Sequence, residues 1–522
     1  MKKHGLSKLL RWALGHVFVR RRALGVFLSA AFLSAFALSA YAQDVNSYAE
    51  LQTAASAETG GDTLRLGADM VGASQLSIGR NLILDLNGHS LTVELSADIG
   101  NNANGIRLNR GVTLTLRDSS PGANKLTVTN AASKSTTSNG AAIQTSGSTL
   151  IIEGGTVVAT GGHFGAGIGG LDSNIIITGG SVRATGGSSA AGIGGGGGNA
   201  GGTITLTGGT VDATGGSGGA GIGGGLLGAG GNITITGGSV TAKGSGSAAG
   251  IGGGGAAVNG GGAGGNIVIA GGTVDATGGA SSMGGGAGIG GGGNYTATAS
   301  GASGSISLVG TARVTAKGGD SNSQGGGAGI GSGGSGTGAA GEANPIVIES
   351  TVSHTATGGT GGNGRNGADI GMGGGASGVG SAVTPGAFVS RHALTASAGA
   401  GGSIAPFGNV QVVDKANQLF TVTAEEGHLI STVTGQTPTN NKRFVFVVPQ
   451  VKASQTLTVA FQSAGSGGST GGGGGPDAGG GSDKPGSSDS GGCNAAGGPF
   501  GMAVFVSLAA CLLHRKSRRS GG

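Results

Sequence analysis

Seven times between residues 149 and 371 the chain writes one pattern: an alternating strand, a glycine break, a second alternating strand, and a glycine-rich arc ending at an isoleucine. The copies begin TLIIEGGTVVATGG at Thr149, NIIITGGSVRATGG at Asn174, TITLTGGTVDATGG at Thr203 and NITITGGSVTAKGS at Asn232. They continue as NIVIAGGTVDATGG at Asn266, SISLVGTARVTAKGG at Ser305 and the degenerate PIVIESTVSHTATGG at Pro345. The arc isoleucines are Ile168, Ile193, Ile222, Ile251, Ile289, Ile330 and Ile370, spaced 25, 29, 29, 38, 41 and 40 residues apart. A fixed strand core with a lengthening arc is the mark of a stacked repeat, in which each unit buries its apolar face only against its neighbours.

Within a unit the period is two. In NITITGGSVTAKG, Ile233, Ile235, Val240 and Ala242 fall on one side, and Thr234, Thr236, Thr241 and Lys243 on the other. Each unit therefore reads as two short strands, a Gly-Gly corner and an arc carrying one inward isoleucine. Stacked at about 4.8 Å, seven such coils would extend about 34 Å. Glycine supplies 127 of the 522 residues without a G-X-Y period, which excludes collagen. Arcs that are disordered or packed as polyglycine helices are the competing structural possibility.

The same glycines produce a false motif. In GGAGIGGG, residues 218–225, Gly219, Gly221 and Gly224 satisfy G-x-G-x-x-G. A dinucleotide turn needs a helix to follow, so that its N-terminus faces the phosphate. Here LLGAGG and the strand NITIT follow instead, and the motif recurs in successive units.

The two ends have a different character. Lys2, Lys3, Lys8, Arg11, Arg20, Arg21 and Arg22 precede an apolar run, Ala23 to Ser39, closed by Ala40-Tyr41-Ala42. This is the order of a secretory signal, with cleavage expected after Ala42. At the other end a Gly/Ser/Asp/Pro-rich tether leads to Cys493, an apolar segment and the cluster Arg515, Lys516, Arg518 and Arg519. Counted from Ala495 to Leu513 the segment would span about 28 Å as a helix, enough to just cross a membrane with its basic end cytoplasmic. The tail SGGCNAAGGPFGMAVFVSLAACLLHRKSRRSGG resembles the C-terminal sorting domains of Synergistetes surface proteins. That resemblance implies Cys493 as a processing or attachment point; the LPxTG motif of sortase substrates is absent.

Setting aside the seven basic residues of the leader and the four of the tail leaves 18 basic against 23 acidic side chains, a net charge of −5 for residues 43–492. The formal +6 of the whole chain is thus a property of its ends. No basic stripe remains to suggest nucleic-acid binding. Both cysteines, Cys493 and Cys511, lie in the tail, so an exported body would be held by packing and backbone pairing rather than by disulfides.

Ahead of the repeats, Tyr48, Leu51 and Ala55 predict a short helix, followed by the strand-like stretches TLRLG, QLSIG, LILDLNGHSL, GIRLNRG, VTLTLRDSS and KLTVT. This arrangement, with Asp85-Leu86-Asn87-Gly88-His89-Ser90-Leu91, resembles the start of pectate-lyase-like right-handed β-helix domains of bacterial adhesins, which implies a helical cap on the first coil. Behind the repeats, G-G-S-I-x-P-x-G at Gly401–Gly408, F-T-V-T-A-x-x-G-H at Phe420–His428 and T-V-A-F at Thr458–Phe461 resemble a divergent internalin-type B-repeat domain. His428 stands where that family usually carries an aromatic residue. The resemblance implies a small all-β module with Phe420, Phe444, Phe446 and Phe461 in its core.

The expected fold is therefore all-β: a right-handed parallel β-helix followed by a small β module, with an N-terminal signal and a C-terminal transmembrane tail. The expected division is 1–42 signal, 43–147 cap and first coils, 148–385 glycine-rich repeats, 386–462 β module, 463–492 linker and 493–522 sorting tail. No catalytic, metal or cofactor site is expected. Asp212 and Asp275 are read as equivalent outward positions, a slot shared with Arg183, Thr241, Thr315 and His354, and a mixed column of this kind is a solvated face. His89, His163, His354, His392 and His428 show no metal spacing, and the arcs lack the recurring aspartate of calcium-binding repeats. Outward Thr203, Thr205 and Thr207 form a candidate flat ladder for ice or polysaccharide, although threonine is also what exposed strands prefer. The expected function is non-enzymatic: an adhesin or surface structural component, exported across the inner membrane and held at the cell surface by its tail, meeting a host matrix protein or glycan. The alternative is a polysaccharide-binding or polysaccharide-degrading β-helix protein.

Overall fold

The computed structural model describes residues 42–464, apart from 59–61, 96–102, 123, 131–139, 257–259, 295–298 and 388. The leader, the tether and the tail with Cys493 lie outside the described residues.

Three long parallel sheets, of eleven, ten and ten strands, form a parallel β-helix. They are called A, B and C in the order in which a coil visits them. In the unit beginning at Asn232, Asn232–Ile235 belongs to sheet A, Ser239–Lys243 to sheet B and Ile251–Gly252 to sheet C. The arc thus contains a third strand that the two-strand reading of the repeat did not anticipate. It escapes pattern recognition because it is only two residues long and one of them is glycine.

Stacking is in register throughout. Ile193 pairs with Ile222 and Ile222 with Ile251, while Ile204, Ile233 and Ile267 form a second column. Val211, Val240 and Val274 form a third. Nearly all these side chains are fully buried in one continuous core. The corner between sheets A and B needs a left-handed residue: Gly238 has φ +86° and its equivalent Gly209 has φ +81°. Glycine after the arc isoleucine has a second cause. A Cβ on Gly223 would lie 2.1 Å from the carbonyl oxygen of Gly252 in the next coil, so only hydrogen fits between the stacked backbones.

The N-terminal end is closed by the expected helix, α1 (Tyr48–Ser56). Ser47 caps it by accepting the Glu50 N–H, and Leu51, Ala54 and Ala55 are buried. Burial pushes the Tyr48 hydroxyl up to about 12, and this hydroxyl donates to the Ser74 carbonyl. In the first coils Asp85 is buried and accepts from Arg117 Nε at 2.9 Å and from the backbone N–H groups of Asn87 and Ser119. At the last coil, sheet C is closed by the return of the chain, Gly371 bridging to Ala382. The repeat degenerates here, and the register corrects one expectation. Thr315 pairs with Thr355, whereas His354 pairs with Val314 and takes a slot that is inward elsewhere. The missing Gly-Gly corner in ESTVSHTATGG shifts the alignment by one residue, and at the end of the stack His354 is exposed.

The module that follows is built from a four-stranded and a three-stranded sheet. Phe420, Phe444 and Phe446 are buried and stacked, with ring centroids 5.7 and 5.2 Å apart, and Phe461 is half-buried at the edge. His428 lies against Gly401, where a Cβ would meet its ring at 2.5 Å.

This module folds back along the outer face of sheet A. Val445 and Val447 pack on Ile151 and Ile176, and Val268 and Val309 join the module's own core. At the centre Asn417, almost fully buried, donates its N–H to Thr234 Oγ1 at 2.9 Å and accepts the Gln450 N–H at 3.0 Å. Its side-chain amide faces Thr205 Oγ1 and the Asn232 carbonyl at 3.4 Å each. Around these contacts Asn440 reaches Asp62, Arg443 pairs with Glu153, Asn266 donates to the Lys415 carbonyl, and Arg391 pairs with Glu349 at 2.6 Å. The contacts run from the second strand of sheet A to its last, so the module lies lengthwise as a strut. Residue 464, bonded through its N–H to the Gly427 carbonyl, lies near His428 and Lys442, toward the Asn440–Asp62 end.

Candidate binding faces

Sheet A fails as an open ladder. Thr205 and Thr234 are 1% and 0% exposed because the module covers them, and Thr203 and Thr207 flank the covered strip, partly buried. The sequence held a signal for this. The same outward slot carries isoleucine at Ile151 and Ile176 and valine at Val268 and Val347, which a solvated face would not favour.

Sheet B keeps its outer face open. Its outward central column runs Thr127, Val158, Arg183, Asp212, Thr241, Asp275, Thr315 and Thr355. Rungs of such a sheet repeat at about 4.8 Å, and outward neighbours along one strand lie about 7 Å apart. Arg183 meets Asp212 across adjacent rungs at 3.1 Å, with both side chains substantially exposed, so the pair contributes little to stability. Asp212 and Asp275 are separated by the rung of Thr241. Among the described residues no group of three or more histidine, cysteine or acidic side chains is placed to hold a metal ion. His89 lies 3.4 Å from Asp69, His392 lies 2.8 Å from Asp414, and His163 meets Phe164 edge-on, each in a different part of the molecule.

The glycine motif at 218–225 is part of the coil wall. Its N–H groups are consumed by neighbouring coils: Gly221 donates to Ala249, Ile222 to Gly250, Gly224 to Gly252 and Gly225 to Asn199. A phosphate cradle needs such donors free and convergent.

Sheet C carries a step in its outward column. Moving up the rungs, the column reads Ser77, Arg107 and Gln144, then Gly169 and Gly194. Where side chains give way to glycine a cavity of about 360 Å³ opens, and among its lining residues are Asn104, Arg107, Gln144, Ser146, Phe164 and Asn199. Ser146 Oγ accepts from Gln144 Nε2 at 3.2 Å and from the Leu171 N–H at 3.1 Å. Asn104 accepts the Ala141 N–H at 2.9 Å. The Phe164 ring lies over Gly197, where a Cβ would approach it to 2.6 Å. The side-chain amide oxygen of Gln144 is buried with no hydrogen-bond partner among the described residues, and Arg107 is exposed and has no ion pair among them.

Of the two expected processing positions, Ala42 is exposed just before the first strand of sheet A, and Cys493 falls outside the described residues. Among the described residues no helix is long and apolar enough to cross a membrane; the expected span at 495–513 is not among them. No family model, curated protein or solved structure matches the chain.

Proposed function

We propose that this chain is a non-enzymatic surface protein, an adhesin or structural component of the cell surface, whose β-helix displays sheet B to a partner. The observation that carries this reading is the open outer face of sheet B. Ten in-register strands present a long, regular array of hydroxyls and isolated charges, while the equivalent face of sheet A is taken up by the chain's own module. The leader ending at Ala42 and the tail with Cys493 support export and anchoring at the surface. The coils take the right-handed sense that parallel crossovers favour.

Expression of the full chain on a non-adherent bacterial host tests the reading. Attachment to cells, matrix proteins or immobilised glycans is the expected gain, and its loss on placing charges along Thr185, Thr214 and Thr277 would locate it to sheet B. No gain on any of these surfaces would sink the proposal. Release of sugar fragments from uronate polymers by the purified chain would instead establish the polysaccharide-degrading alternative.

A further inference from the structure

We infer that the step in sheet C is a binding site for an acidic sugar unit, a saccharide ring carrying one carboxylate. The inference rests on the surface-binding reading above and gives it a second, more specific locus.

Four observations converge on that chemistry. The cavity, about 360 Å³, lies in the range that small-molecule ligands fill. Among the described residues its one charged lining side chain is Arg107, whose planar fork matches a carboxylate and which no anion among those residues engages. Gln144, one rung above, lines the same cavity, and its side-chain amide oxygen meets no donor among the described residues. Phe164 adds an aromatic ring pinned by Gly197, an apolar surface against which the C–H face of a sugar can lie. Asn104, Ser146 and Asn199 supply further amides and a hydroxyl around the rim. Among the described residues no carboxylate lines the cavity.

The step also explains why the site occurs once in a repetitive molecule. From Gly169 to Gly371 the outward residue of every sheet C strand is glycine, and the backbones stack too closely to admit a side chain. Only where the earlier coils end can projecting side chains border a glycine floor.

Calorimetric titration of the purified full-length chain with sialyllactose, with lactose and with a glucuronate-terminated disaccharide tests the assignment. Binding of at least one acidic saccharide, about tenfold or more tighter than lactose, is expected, and which of the two binds identifies the source of the carboxylate. Arg107→Gln should remove the preference for the acidic form, and Phe164→Ala should weaken both forms. Lys452→Gln, at an exposed position of the module, should change nothing. Equal binding of acidic and neutral saccharides, an equal loss in Lys452→Gln, or no saccharide binding would overturn the site. Surface attachment that persists in Arg107→Gln would overturn it as the locus of adhesion while leaving the sheet B reading intact. Saccharide binding without any surface attachment would have the reverse consequence.

Discussion

Asn417 is almost fully buried at the centre of the contact between the module and sheet A, and Asn417→Ala probes how the module is seated. The backbone N–H bond to Thr234 survives the substitution. What disappears is the side-chain oxygen that accepts the Gln450 N–H at 3.0 Å, together with two amide contacts at 3.4 Å that are too long to contribute much. A donor left without an acceptor costs about 1–3 kcal/mol when buried, and the Gln450 N–H is only part-buried, so the docked state should lose about 1 kcal/mol, roughly fivefold in the docked-to-undocked ratio. Hydrogen exchange provides the assay. Amides of Asn417, Gln450 and Val451 should exchange faster, and trypsin should cut sooner at Lys415, a left-handed residue (φ +62°) at the contact. Gln411→Ala, at an exposed position on the same module, is the control. If the two variants exchange alike at these amides and unfold at the same denaturant concentration, Asn417 does not hold the strut in place.

Three further outcomes follow from the coils. Gly223→Ala should cost more than about 3 kcal/mol, since its Cβ would overlap the Gly252 oxygen, whereas Gly198→Ala (φ +82°, with open space around it) should cost only about 1–2 kcal/mol, both read by equilibrium unfolding. Asp85 makes the first coils acid-sensitive. Burial, the largest single influence, works to raise its pKa, but the bonds from Ser119, the charge of Arg117 and the Asn87 N–H together hold it below the ordinary 3.8. Its stabilising contribution is therefore present above pH 3.8 and is lost as pH falls through the lower folded value; Asp85→Asn should be less stable than the native chain at pH 6 and approach it in acid. Finally, ultraviolet titration should show a phenol ionising near 12 that vanishes in Tyr48→Phe, and a normal titration there would place Tyr48 outside the cap.

The solenoid was legible because its information is local and repeated. Inward Ile233, Ile235 and Val240 declare a period of two, and seven aligned copies leave one way to bury them. The short helix was legible in the spacing of Tyr48, Leu51 and Ala55, while the aromatic core of the module was implied by its resemblance to a known family, with Phe420, Phe444 and Phe446 buried. What the sequence did not disclose is long-range. Nothing near Thr205 says that Asn417, 212 residues later, will cover it, and the isoleucines at 151 and 176 point to a cover without naming it. The step in sheet C was hidden because Arg107 and Gln144 lie far apart in the chain and become neighbours only through register. The slip of His354 arose where the repeat loses its glycine corner and, with it, its alignment mark.

The lengthwise strut has a mechanical consequence. The first strand, Gln43–Val45, lies at the start of sheet A, and residue 464 returns toward the same end. A pull between the two ends of the described chain would therefore not stretch the rod along its length; it would shear the module from the first coils, loading Asn440–Asp62 and Arg443–Glu153 before any ladder of the solenoid. Held by its C-terminal side, the molecule would present its later coils, with their longest arcs, farthest from the point of attachment.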